Sequence, residues 1–494
     1  MEAQTPSTLT RQLGLLPLAA TGICSMLGAS VYIVPFMIQR SVPGIGPYVL
    51  PAFILAAVPA LLAAAAYAIL ASAMPRAGGS YVYASRGLNP YLGFVASFSQ
   101  WFGLSIAIGV ISYVIVPFVR DVAVALDWQT MADWMEVGTI RVGLALALLW
   151  TFVGVNIRGL RFYEKTLIPL MVLMFGMGVI VIFAGFYYSP ETFAGELLTR
   201  EGRQVPGTTS QFSFGTLLTA AALLFSSFIG FDSIAQAGGE ARRPHRNLPL
   251  AIAIAVLGVG AYYFVFTAAV YNVVPWSFVA EEALTKDISA PGLLGYVLSP
   301  SWSVVVLLGA AIALINDLPA MLLSVSRLMF AWAEDGIFPR GVSKIHPEYN
   351  TPYVAILGSG VMASVGILGS HFAGDFFLGI DIMVTAMLVN FLLMCVTVIA
   401  LPGYNPPLAE RVAVFKNRTL QLILAISGAA MLLLFLVVHT AKDLNAEVAA
   451  WYFHSTWVWL LVLGVASLIF FWKMGRLKQG GVNVEERFKT LPPE

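Results

Sequence analysis

Residues 226–249 read SSFIGFDSIAQAGGEARRPHRNLP. The stretch leaves a long apolar run, TLLTAAALLFSS, and ends among Arg242, Arg243, His245 and Arg246. Between the two, Gly230, Asp232 and Gly238-Gly239 interrupt what would otherwise be a clean membrane helix. Backbone N–H and C=O groups left unpaired in hydrocarbon cost several kcal/mol each. A break is tolerated only where those groups meet a ligand, an ion or other protein.

The surrounding chain shows that the medium is hydrocarbon. Of 494 residues, 59% are hydrophobic and 11% charged, and the mean hydropathy is +0.83. Soluble domains carry about 25% charged residues, so a soluble globule is excluded. Apolar runs long enough to cross a core of about 30 Å recur from end to end. Twelve spans are expected, at 14–38, 46–73, 92–118, 140–156, 165–187, 214–240, 247–272, 302–331, 353–370, 376–401, 419–440 and 455–473. The runs are too long and continuous for barrel strands. No cleavable signal peptide and no appended soluble domain are expected, and Cys24 and Cys395 lie inside spans, against a disulfide framework.

With the N-terminus inside, the outer segments hold Arg40, Arg120, Arg141, Arg200, Arg203, Lys286 and Lys442, and the inner segments the other 20 of the 27 Lys and Arg. That asymmetry predicts an integral, multi-pass protein with both termini cytoplasmic. The net charge of +1 calls for no nucleic acid. The small-molecule ligand and the lipid bilayer are the expected partners, and the oligomeric state is left open.

Span 1, GLLPLAATGICSMLGASVYIVPFM, is interrupted like span 6, at Gly28-Ala29-Ser30. Each interrupted span opens a set of five, 14–187 and 214–401, between a tail at 1–13 and two further helices at 402–473, with a tail at 474–494. Five crossings invert the second set relative to the first. Matching breaks in inverted repeats predict a transporter with its site at the midplane; the alternative is that Gly and Ser here only permit close packing. The half-helix beginning at Gly28, Ala29 and Ser30 aims N–H groups into the break, which suits a carboxylate. Carbonyls near Met26, Ser226 and Ile229 suit an ammonium. A zwitterionic amino acid satisfies both ends.

Four segments carry a family resemblance. MLGASVYIVP resembles a first-span pattern usually written IGSGIFxxP, with Ala29 and Ser30 in place of Ser and Gly. MPRAGGSYVYASRGLNPYLGF, FIGFDSIAQAGGEARRPHRNLP, and SRLMFAWAEDGIFP followed by KIHPEYNTPY resemble the later conserved-order motifs. Together they resemble the amino acid–polyamine–organocation (APC) transporter superfamily. The resemblance implies an all-α integral membrane fold of about twelve helices, a five-plus-five inverted repeat (LeuT-like) with broken helices 1 and 6, and two extra C-terminal helices. It also implies a substrate side chain lying against Gly103, Leu104, Ile108 and Met321, with Phe228 as a lid. A span-five Lys used by some members falls near Met174 here, so a Lys switch is not expected.

Three acids fall inside spans, where an ionisable group costs at least ~2.5 kcal/mol and usually faces a cavity or partner. By resemblance Asp232 matches a gating acid; otherwise it caps freed N–H groups. Asp317, beside Pro319, could bind Na⁺ or cycle a proton, or pair with Asn316 to cap the proline kink. Asp381 either faces the side-chain end of the pocket or sits wet at the outer boundary. No H-E-x-x-H and no GxxxxGK[ST] occurs, so neither an enzyme nor an ATP-driven motor is expected. The expected function is secondary active amino acid transport by alternating access, for neutral and apolar amino acids, coupled to H⁺ or Na⁺ or working by exchange, with no cofactor beyond a coupling ion. The rivals are a polyamine or cationic amino acid transporter and a non-transporting sensor or partner subunit on the same fold.

Overall fold

The computed structural model describes residues 9–207, 209–373 and 376–492, with the backbone alone for Ala29, Ala373, Phe376 and Phe377. Twelve of its helices are long and apolar enough to cross a membrane: Leu15–Ser41, Gly46–Ala73, Pro90–Ala125, Gly138–Ile157, Leu160–Tyr187, Phe214–Gln236, Pro244–Val273, Pro300–Glu334, Tyr353–Phe372, Leu378–Tyr404, Arg418–Leu444 and Ser455–Gln479. They are called spans 1–12 below. Span 3 outruns its apolar stretch by about two turns, to Ala125, because hydropathy marks the hydrocarbon and not the end of the hydrogen-bonded helix. The chain is an all-α membrane-spanning fold. Among the described residues the only bridges are two isolated ones, Leu13 with Ala241 and Ala77 with Ala237.

Local chemistry sets the helix starts. Asn89 accepts the Leu92 N–H and Pro90 follows at the first helical position, which begins span 3. Ser213 caps span 6 through Thr216 N–H, and Asn417 caps span 11 through Thr419 and Leu420. Where spans 1 and 6 are interrupted no cap of this kind exists. Gly28 has φ −35° and ψ −129° inside span 1. In span 6 the α-helix stops at Leu224, a tight turn covers Phe225–Phe228, and Gly230 has φ +133°.

Residues 12–13 and the segment from Val484 to Pro492 pack on one face. Gln12 and Leu13 N–H groups donate to the Glu240 carbonyl at 2.9 Å, and Arg242 N–H donates back to Leu13. The C-terminal tail forms a further helix, Val484–Lys489, and docks on the same face. Arg86 Nε donates to the Thr490 carbonyl, Arg76 Nε to that of Pro492 and Arg487 Nη2 to that of Glu334. Phe488 is buried, with the Arg86 guanidinium 4.9 Å from its ring centroid. Phe488 is the buried anchor of the docked tail, with Val484 and Leu491 packed partly buried against the core beside it. Phe488→Ala is expected to cost about 3 kcal/mol, measured as a lower unfolding midpoint of the detergent-purified protein.

Candidate functional site

The two breaks face each other, and side chains close the backbone groups they free. Gly28 N–H donates to Asp317 Oδ1 at 3.0 Å, from span 8. The Met26 carbonyl accepts the Tyr263 hydroxyl at 2.9 Å, from span 7. Gly230 N–H donates to Asp232 Oδ1 at 3.1 Å. Ser25 and Ser233 join the two broken helices through their hydroxyls at 3.0 Å.

Between the breaks lies a cavity of about 30 Å³ lined by Ser25, Met26, Ser30, Val34, Ile111, Ser226, Ile229, Asp317, Met321, Ile380 and Met383. That volume holds a water or two; a small-molecule pocket needs about 300 Å³ or more. The cavity is therefore collapsed, and the unbranched Met321 and Met383 are the side chains best able to repack as it opens. A lobe of about 50 Å³ shares Val34, Ser226 and Ile380 with it and continues to Asp381 and Lys442. Farther out, a vestibule of about 470 Å³ reaches Ile33 and Val110, the neighbours of cavity residues Val34 and Ile111. Arg40, Arg120 and Arg141 converge on this vestibule, with Asp121 and Asp287.

The opposite side is sealed. Arg327 holds Glu240 through two bonds, Nη2–Oε1 at 2.6 Å and Nε–Oε2 at 3.0 Å, with both side chains 1% exposed. Arg86 holds Asp335 in the same bidentate way at 2.5 and 2.9 Å, and the Tyr81 hydroxyl adds a bond at 2.6 Å. The structure is thus closed toward the termini and hollow on the face away from them.

A family model described as amino acid permease matches residues 13–476. The chain belongs to the amino acid permease family. It is 27% identical over 425 residues to cationic amino acid transporter 4 of Mus musculus, covering 82% of this chain and 62% of that one. It is 25% identical to the branched-chain amino acid permease BcaP of Bacillus subtilis, covering 81% and 83%. It is 24% identical to the low-affinity putrescine importer PlaP of Escherichia coli, covering 78% and 79%. The chain spans less than two thirds of the length of the mammalian relatives, 62% for mouse and 55% for human. These family members are transporters.

Of the residues the sequence singles out, this permease-family chain gathers Met26, Ser30, Ser226, Ile229, Asp317 and Met321 around the cavity, with Gly28 bonded to Asp317. The side chain of Ala29 lies outside the described residues. Leu104 and Ile108 are buried and do not line the cavity. Span 3 meets it at Ile111, one turn farther along the same helical face. Gly103 instead lets span 10 approach: a Cβ there would lie 2.9 Å from Ala386 and 3.1 Å from Met383. Phe228 packs on Phe53 and Tyr263 and does not line the cavity. Asp381 lies in the outer lobe, beyond the cavity. Asn316 donates to Cys24 Sγ at 2.9 Å and Asp317 reaches Gly28, both on span 1.

Asp232 also stays out of the cavity. Besides Gly230 it accepts from Gln100 Nε2, whose Oε1 accepts from Ser80, Gln236 and Asn390. Asn390 Nδ2 also donates to the Tyr67 hydroxyl at 2.7 Å. This buried knot joins spans 2, 3, 6 and 10. Gln100 and Asn390, lone amides in the apolar runs SFSQWF and MLVNFLL, were the signal for it. Gly230→Ala tests the break directly. The positive φ costs about 1–3 kcal/mol in strain, and a Cβ would strike the Ser25 carbonyl. The variant is expected to unfold at a clearly lower temperature than wild type, and an unchanged unfolding midpoint would contradict this geometry.

Proposed function

We propose that the chain is a secondary active transporter of neutral, apolar amino acids that works by alternating access. The observation that carries this reading is the meeting of two helix breaks at one small cavity with mostly apolar walls. Met26, Val34, Ile111, Ile229, Met321, Ile380 and Met383 outnumber the polar lining of three serines and Asp317. Each CH₂ buried there is worth about 0.8 kcal/mol. The branched-chain permease among the relatives supports the same substrate class.

The second reading, a cationic amino acid or polyamine substrate, is favoured by Asp317 in the cavity and Asp381 in the outer lobe, and by the relatives named for such substrates. A sensor or partner subunit on the same fold would bind ligand without moving it. Asp232 serves the break, which leaves Asp317 as the candidate for coupling to H⁺ or Na⁺. The excess of Lys and Arg on the termini side supports cytoplasmic termini in a multi-pass membrane protein.

A ligand that binds only the folded state stabilises it by RT ln(1 + [L]/Kd), about 2.7 kcal/mol at 100 Kd. Leucine, isoleucine and valine are expected to raise the unfolding midpoint of the purified protein, and their decarboxylated amines are not. Stabilisation by diamines alone would replace this reading with the second one. Labelled leucine is expected to accumulate in liposomes carrying the protein; binding without flux would make it a sensor.

A further inference from the structure

A second hollow opens away from the substrate cavity. It is a groove of about 910 Å³ between span 2, span 7 and the segment that leads into span 11, within the range of about 300–1,000 Å³ that small-molecule sites occupy. Its floor is the buried Ala64, Ile252 and Val256, and its rims are the exposed Leu61, Leu257 and Phe415. Ser72, at the end of span 2, ties the three walls together. Its carbonyl accepts from His245 Nδ1 of span 7 at 2.6 Å, and its hydroxyl accepts the Ala413 N–H from the segment before span 11 at 3.0 Å. Phe415 has φ +50°, a conformation that a bulky residue rarely adopts, and Gln421 Nε2 holds its carbonyl at 3.0 Å. Backbone strain of this kind clusters at ligand clamps.

Charge lies at one end only. The only polar residues in the lining are His245 and Arg246, both in the first turn of span 7. No Asp or Glu lines the groove, and Arg246 is bonded to no acid among the described residues. Exposed Lys416 follows Phe415 on the facing wall. Arg242, just before this turn, bonds Leu13, so the charged end lies on the termini side. From Arg246 the span 7 wall runs to Leu257, about 17 Å of helix at 1.5 Å per residue. That shape calls for an occupant with a long apolar body and an anion at one end.

We propose that this groove binds one anionic phospholipid of the termini-side leaflet, with its phosphate at Arg246 and an acyl chain along Ala64, Ile252 and Val256. Basic pockets between membrane helices hold acidic headgroups in this way. Phosphatidylcholine brings its own ammonium to the same cations, whereas phosphatidylglycerol brings none, so the anionic lipid is preferred. The site is independent of which substrate the central cavity takes.

The test is native mass spectrometry of the delipidated full chain in detergent, titrated with phosphatidylglycerol or with phosphatidylcholine of the same acyl chains, alongside the unfolding midpoint. One phosphatidylglycerol is expected to bind ahead of all others, more tightly than phosphatidylcholine, and to raise the midpoint further. Arg246→Gln should bind phosphatidylglycerol about fivefold more weakly, the effect of one arginine at an anionic headgroup, and phosphatidylcholine about as before. Ala253→Trp, at an exposed position of the lining, fills the groove without touching the core and should weaken both lipids. Equal wild-type affinity for the two lipids, or a preference that survives Arg246→Gln, would overturn the headgroup site. Binding that Ala253→Trp leaves intact would overturn the acyl groove. A midpoint rise as large with glycerol phosphate as with the lipid would make the ligand a free anion and overturn the lipid assignment.

Discussion

An unpaired backbone group in a medium without water is the constraint on which the rest of this structure depends. Two helices stop and restart inside the hydrocarbon, and the groups this exposes would each cost several kcal/mol. The protein closes them with borrowed side chains: Asp317 on Gly28 N–H, Tyr263 on the Met26 carbonyl, and Asp232 on Gly230 N–H. Two of these caps come from other spans, so the break in span 1 is tied to spans 7 and 8.

The two sides of the cavity are closed by bonds of different character. Toward the termini, Arg327–Glu240 and Arg86–Asp335 are almost fully excluded from water, and the C-terminal tail covers the second pair. Burial opposes the charge on Arg86, but Asp335 more than offsets it and holds the guanidinium above its ordinary pKa. Removing one partner of such a pair costs about 3–5 kcal/mol, because the other charge is then stranded. On the far side, Arg40–Asp287 is 36% and 83% exposed, a class of pair worth about 0–1 kcal/mol. The vestibule side is therefore the cheaper one to open. The termini side yields only if both charges of each pair gain water together.

Much of the fold was legible before any coordinates, because hydropathy is a local property. The twelve apolar runs, the interruptions at Gly28 and Gly230 and the basic termini-side segments could all be read along the chain. Half of the site was legible for the same reason: Met26, Ser30, Ser226, Ile229 and Asp317 lie at or beside features that stand out in their own spans. The side-chain wall, apart from Met321, was not. Ile111 and Met383 are ordinary apolar residues in ordinary apolar helices, and only the depth at which spans 3 and 10 pack brings them to the cavity and leaves Leu104 and Ile108 short of it on the same face.

The same division applies to the charges. The sequence by itself determined that this chain spans a membrane twelve times, that two spans are broken, and that three acids lie at membrane depth. Each of those follows from composition within a window of about twenty residues. Only the tertiary structure decided what the acids do. Asp232 is drawn into a knot of amides with Gln100 and Asn390, Asp381 lies in the outer lobe, and Asp317 reaches across to Gly28. A carboxylate in hydrocarbon must find a partner, and which partner it finds depends on residues up to 289 positions away in the chain, brought within bonding distance only when the helices pack.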